Sequence, residues 1–222
     1  MWTYRIKHTK LGRIRFISHL DVIRALTRAM NRAALPVAYT EGFNPRPKLS
    51  MGPALPLGYE SMCEVADIAL SRMLPPETLH QRLKDAMPHG LDLLEAGWVL
   101  GSSPPLSRAS SALYMVELNR EIADNADKLV REFLAKDKAL VERVRKDTST
   151  VVNVRQFVTS LGMEARADSR SLRVEISMGA QGSCSASEVA QAALNVSPDN
   201  AKCLRIIRTD IRFDQPPKDN HE

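Results

Sequence analysis

Residues 16–50 read FISHLDVIRALTRAMNRAALPVAYTEGFNPRPKLS, and the fold of the surrounding chain turns on how this stretch is arranged. Ser18 followed three residues later by Asp21 is a capping-box pattern. The Ser18 oxygen can accept from the Asp21 backbone N–H while the Asp21 carboxylate reaches back, so a helix starts there. At 100° per residue, Leu20, Ile23, Leu26, Met30 and Ala34 fall on one side and Arg24, Arg28 and Arg32 roughly opposite, which predicts a helix apolar below and cationic above. Pro36 disfavours the α region in its predecessor and has no N–H to donate, which predicts an end at Leu35.

Beyond Pro36, Val37 to Tyr39 is a short strand signal, and Thr40-Glu41-Gly42-Phe43-Asn44-Pro45-Arg46-Pro47-Lys48 is an ordered loop. Two prolines flank Arg46 and restrict the residues before them, so Asn44 and Arg46 are held extended with little entropy left to lose. Phe43 offers a ring, Asn44 an amide, and Arg46 with Lys48 two cations. Such a loop either presents these groups to a ligand or is a well-made turn whose aromatic caps the core and whose charges are solvated.

Working outward, Tyr4 to Lys10 alternates as a strand, Gly12 bends the chain, and Arg13 to Ile17 resumes the alternation. Residues 53–59 are a loop, and Glu60 to Leu70 is a strand. Pro75-Pro76-Glu77 opens a helix that buries Leu79, Leu83 and Met87 and stops at Pro88-His89-Gly90; Leu91 to Leu100 is the next strand. The resulting order, β-α-β-β-α-β, is that of a ferredoxin-like domain. Gly101 to Ser111, rich in Ser and Pro, is the best linker. A second cycle follows, with a strand at Leu113 to Leu118, an amphipathic helix from Ile122 to Ala135 on Leu129, Val130, Phe133 and Leu134, and a strand from Ala139 to Arg145. Val151 to Leu161 fits strand or short helix, Leu172 to Met178 is a strand, Ser185 or Ser187 caps a helix through Leu194, and Cys203 to Phe213 is a closing strand. The expected class is α+β: two tandem ferredoxin-like domains, at 1–100 and 112–213, joined by a linker at 101–111 and followed by a frayed tail at 214–222. One α+β domain with an extended sheet is the alternative.

The 222 residues are 44% hydrophobic, enough for a real core, and the chain carries a net charge of +5. That charge is uneven: residues 1–60 hold ten Lys and Arg against Asp21, Glu41 and Glu60, so the remainder is slightly acidic. A basic first quarter is the electrostatic footprint of a polyanion-binding surface or, more blandly, a solvated cationic face. No apolar run approaches the roughly 18 residues that span a bilayer, and the N-terminus lacks a signal-peptide core, which implies a cytoplasmic protein with no membrane partner. Cys63, Cys184 and Cys203 are scattered, which points to buried free thiols rather than disulfides or a metal cluster. The five histidines have no mutual metal-ligand spacing, and nucleotide, zincin and hydrolase motifs are missing, so no metal or cofactor is expected.

The patterns GRIRFISHLD (12–21) and RALTRAMNRAALPVAYTEGFNPRPKLSMGPALPLGYES (24–61) resemble the signature of the radical-SAM-linked bacterial family catalogued as domain of unknown function 2344. The likeness is specific over residues 12–64 and looser afterwards, and Thr40 stands where Ser is more usual. The resemblance implies a radical SAM protein as partner and a ribonuclease of the E/G type as a neighbour. A radical SAM enzyme holds its iron–sulfur cluster through closely spaced cysteines, and this chain has no such spacing, so it would be the accessory half.

From these features the expected function is an accessory protein that binds RNA, tRNA or rRNA, through its N-terminal half. Arg15, Arg24, Arg28, Arg32, Arg46 and Lys48 would meet phosphates, and Tyr39, Phe43 and Asn44 would supply stacking or base-edge contacts. Ser18 and His19 sit at a helix N-terminus, where N–H groups favour an anion and a neutral imidazole. His19 could therefore order the first turn, contact a phosphate, or act as the acid or base of a metal-independent endoribonuclease. A third alternative is a protein-docking module whose basic face meets an acidic patch on the radical SAM partner.

Overall fold

The computed structural model describes residues 1–145, 148–166, 169–179 and 182–214. The chain is α+β, with mainly antiparallel strands and six α-helices among the described residues. It packs as two compact units: Met1–Ala109 with the segment that begins at Phe213, and Ser110–Arg212.

In the first unit β1 (Trp2–Lys10) leads through a short 3-10 helix at Gly12–Phe16 to α1 (His19–Arg32). After it come β2 (Leu49–Met51), β3 (Glu60–Leu70), α2 (Pro76–Ala86) and β4 (Leu93–Trp98). The strand order is β4-β1-β3, with β2 on the far side of β3, and each of these pairs is antiparallel. Tyr4 pairs with Ile68 and Ile6 with Ala66, so the alternating apolar residues of both strands share one face. That face is closed by Leu26, Ala29 and Met30 of α1 and by Leu79 and Leu83 of α2, all fully buried.

The α1 helix departs from the expected apolar stripe. Its buried residues are Val22, Leu26, Ala29 and Met30, whereas Leu20 is 62% exposed and Ala34 is exposed. The stripe is therefore rotated by roughly 75° from the expected one, which puts Arg24 squarely opposite it. The helix also ends earlier than Pro36 requires. Ala34 turns left-handed at φ +48°, its N–H bonds the Asn31 carbonyl, and the Leu35 N–H bonds the Met30 carbonyl. This is a Schellman closure, and it satisfies carbonyls that the last turn leaves open.

Two expected strands are absent. Over Arg13 to Phe16 the chain is in the 3-10 helix instead, with Ile17 its extended C-cap, because Gly12 at φ +66° reverses the chain after the Leu11 N–H bonds the Gly90 carbonyl. Val37 and Tyr39 make only isolated bridges, to Leu70 and Pro47. Prolines at 36, 45 and 47 cannot donate to a ladder, so regular pairing begins at Leu49 opposite Ile68.

The second unit starts with β5 (Ala109–Leu118), so residues 109–111 of the expected linker lie in a strand. The long helix expected at 122–135 breaks at Asn125 into α3 (Arg120–Ala123), capped by Asn119, and α4 (Ala126–Leu134). A hairpin of β6 (Leu140–Arg145) and β7 (Thr148–Asn153) stands apart as its own two-stranded sheet. The ambiguous stretch 151–161 divides into the end of β7, a 3-10 helix at Val154–Phe157, and the start of β8 (Val158–Arg166). After β9 (Ser169–Ser177), Ser185 caps α5 (Ala186–Leu194) with a full capping box. Next, α6 (Pro198–Cys203) takes up the residue expected to open the last strand, and β10 runs Ile206–Phe213. The strand order is β10-β5-β9-β8. The expected tail at 214–222 lies outside the described residues from 215 onward.

Arg143 ties the hairpin to α5, its guanidinium donating to both Glu188 oxygens at 2.6 and 2.7 Å and to the Ser183 carbonyl at 3.1 Å. Burial opposes ionisation of Glu188, but bonds from Arg143 and Ser185 outweigh it and hold the carboxyl below its ordinary range. Beside them, burial pushes the Cys184 thiol up to about 12. Cys63 is buried as well, whereas Cys203 is exposed, against the expectation of three buried thiols.

Two outcomes follow from this packing. Leu26→Ala should cost about 2–5 kcal/mol in urea unfolding, whereas Leu20→Ala should stay within about 0.5 kcal/mol; equal losses would put the stripe back at Leu20. Maleimide added to the native protein should modify Cys203 and leave Cys63 and Cys184 untouched until denaturant is present, as read by peptide mass spectrometry.

Candidate nucleic-acid interface

At the start of α1, Ser18 Oγ accepts from the Asp21 N–H at 3.2 Å and donates to the Asp21 carboxylate at 2.6 Å. Arg24 donates to the other Asp21 oxygen at 2.8 Å. First the Ser18 hydroxyl and then the Arg24 guanidinium hold the Asp21 carboxyl below its usual range. Arg24 is thus partnered, although the pair is exposed and solvent weakens it. Arg32 leaves the cationic row: its guanidinium donates to the Ala86 carbonyl at 2.6 Å, at the C-terminus of α2, where a cation suits the helix dipole. Arg28 is exposed and forms no ion pair among the described residues. His19, the first residue of α1, is half-buried, and no hydrogen bond or ion pair engages its ring among the described residues.

Arg15 belongs to a group that spacing in the sequence did not reveal. Its guanidinium stands 3.6 Å from the carboxylate of Glu60, a side chain only 4% exposed, and 4.7 Å from the centre of the Phe16 ring. Glu60 also accepts the Gly12 N–H at 3.1 Å. Lys10, buried beside it, donates to the Ile17 carbonyl at 3.0 Å, and the Gly58 N–H bonds the Arg15 carbonyl at 2.9 Å. Gly58 itself, at φ +85°, brings the 53–59 loop against Phe16. The 3-10 helix is thereby fixed from three sides; Phe16 on it is 61% exposed, and Leu57 in the abutting 53–59 loop is 66% exposed. A buried carboxylate needs such bonds to stay in place, so removing either partner disturbs the other.

The loop after α1 closes on itself like a hairpin. The Thr40 N–H bonds the Arg46 carbonyl at 2.8 Å, the Arg46 N–H bonds Thr40 Oγ1 at 3.0 Å, and the Lys48 N–H bonds the Ala38 carbonyl at 2.8 Å. The Thr40 hydroxyl therefore has a structural task. Gly42, at φ +117°, takes the backbone conformation that makes the tip, and Phe43 beside it is fully solvent-exposed, at 106% of its reference area. Tyr39 is 45% exposed at the base, and Asn44 is exposed near the tip. Arg46, Lys48 and Arg13 make no ion pair among the described residues. The aromatic thus does not cap the core. No hydrogen bond, ion pair or ring contact joins this loop to the α1 arginines among the described residues.

Sequence reasoning missed Glu60, Lys10 and Phe16. The signal available for Glu60 was its place as the first residue of an apolar strand, where an acid needs a partner.

A family model described as an uncharacterized protein conserved in bacteria (DUF2344) matches residues 3–188. No curated protein matches the chain. Among solved structures it is similar, at 11% identity and a TM-score of 0.44, to a chain in the crystal structure of a Cbf5-Nop10-Gar1 complex. That match covers 94% of this chain and 48% of the other, so this chain spans about half the length of its structural neighbour.

Because the Asp21 carboxyl ionises more readily when folded, its contribution to the first turn is fully present above the unfolded pKa, about 3.9, and is lost as pH falls through the folded value. Backbone chemical shifts of Ser18 to Val22 should therefore drift toward coil values on acidification below about pH 4, and Asp21→Asn should abolish that drift. Shifts that stay constant in the wild type would contradict the capping chemistry.

Proposed function

The chain belongs to the DUF2344 family of bacterial proteins, and on that footing we propose that it is a cytoplasmic accessory protein of a radical SAM enzyme that binds RNA through its first unit. The observation that carries this is Phe43. Leaving a phenyl ring in water forgoes about 2 kcal/mol of burial, yet here a loop stiffened by two prolines and three internal hydrogen bonds holds it fully exposed, and the same loop carries Arg46 and Lys48, which make no ion pair among the described residues. Rings in that position stack on bases, and Arg46, Lys48, Arg28 and Arg13 meet phosphates. Arg15 and Arg24 serve the same surface while paired to Glu60 and Asp21. Ser18 and Arg32 act within the scaffold, as a cap and as a brace to α2. Asn44 next to the tip ring and Tyr39 at the base of the loop supply base-edge contacts.

We read both units as ferredoxin-like, in tandem. Strand orders β4-β1-β3-β2 and β10-β5-β9-β8 support this, with the β6–β7 hairpin as an insertion ahead of β8. The RNA is tRNA or rRNA, with a ribonuclease of the E/G type as a neighbour of the system. On this reading chemistry on that RNA belongs to the radical SAM partner, because no hydrogen bond or ion pair holds the His19 ring in a catalytic pairing among the described residues.

Titration of labelled tRNA against the full chain should give an affinity that falls steeply with salt. Arg28→Ala and Arg46→Ala should each weaken binding to all sequences alike and lower the slope of log K against log salt by about 1. Binding indifferent to ionic strength, or absent at low salt, would remove the proposal.

A further inference from the structure

The N-terminal unit carries two exposed phenyl rings, each on a braced backbone and each with an arginine close by. Phe43 stands at the loop tip with Arg46 three residues on. Phe16 lies on the 3-10 helix with the Arg15 guanidinium 4.7 Å from its centre. A guanidinium on one side of a ring leaves the other side for a planar partner, and Glu60 keeps Arg15 from swinging away. Leu57, also exposed, lies in the loop whose Gly58 abuts Phe16, and Arg13, exposed and without an ion pair among the described residues, adds a cation near the Arg15–Glu60 pair. Its counterpart is therefore planar, apolar on its faces and attached to an anion, which describes a nucleotide whose base is free of its stack.

We infer that the RNA form this unit recognises is single-stranded, with unstacked bases laid on Phe16 and Phe43 as two separate platforms. This rests on the RNA-binding proposal and specifies its ligand. A paired helix offers neither ring a base face, because its bases are stacked and its readable groove presents hydroxyls and edges. Duplex RNA would engage the cations alone.

The test compares a uridine 20-mer with a 20-base-pair RNA duplex at equal salt, using the full chain, Phe16→Leu and Phe43→Leu. Both rings are exposed, so both variants should fold, which circular dichroism checks. The single strand should bind more tightly than the duplex. Each leucine variant should lose about tenfold on the single strand, with an unchanged salt slope and unchanged duplex binding. Equal affinity for duplex and single strand, or leucine variants that bind like the wild type, would overturn the platforms while leaving RNA binding intact. No detectable binding of either RNA at low salt would overturn the proposal beneath them.

Discussion

A single buried carboxylate organises the end of the first unit that faces its proposed ligand. Glu60 opens β3, and its Oε1 accepts the Gly12 N–H and stands 3.6 Å from the Arg15 guanidinium. An acid in that position is tolerable only when its charge is answered and its lone pairs are bonded. The groups that answer it come from the turn after β1, so the start of β3 dictates the shape of that turn. With Arg15 drawn inward, Phe16 has to point out. With Lys10 bonded to the Ile17 carbonyl, the chain is delivered to Ser18 in an extended conformation ready to cap α1.

The charge surplus of the first sixty residues divides into two populations once partners are known. Arg5 pairs bidentately with Asp67, Arg15 with Glu60, Arg24 with Asp21, and Arg32 closes the end of α2. These cations hold the scaffold together, and some of their charge is neutralised locally. Arg13, Arg28 and Arg46, all exposed, and the half-buried Lys48 make no ion pair among the described residues, and they are the groups whose counterions a polyanion would release. Net charge alone would have overstated the surface available to a ligand.

What the sequence made legible was local. The cap at Ser18, the Pro76 start of α2 and the full span of β3 from Glu60 to Leu70 each depend on neighbours a few residues away, and each stands where the pattern puts it. The order β-α-β-β-α-β was legible for the same reason, although its second strand lies at Leu49–Met51 rather than Val37–Tyr39. Arg13 to Ile17 misled because alternating charges imitate a strand, while Ile14 and Ile17, three apart, follow the 3-10 period that the chain adopts. The partners of Arg15 and Arg32 were out of reach: Arg32 finds a carbonyl 54 residues away, and no spacing rule encodes that. Ring exposure was similarly illegible, since Phe43 could have folded back onto the core until the Thr40–Arg46 bonds fixed the loop away from it.

Photo-crosslinking locates the RNA contact most directly. The 222-residue chain is irradiated with a 4-thiouridine-containing single strand, digested, and mapped by mass spectrometry. An N-terminal RNA surface predicts adducts on peptides covering residues 12–17 and 39–48, with few elsewhere. Adducts confined to residues 110–212, or none above a bovine serum albumin control, would contradict it.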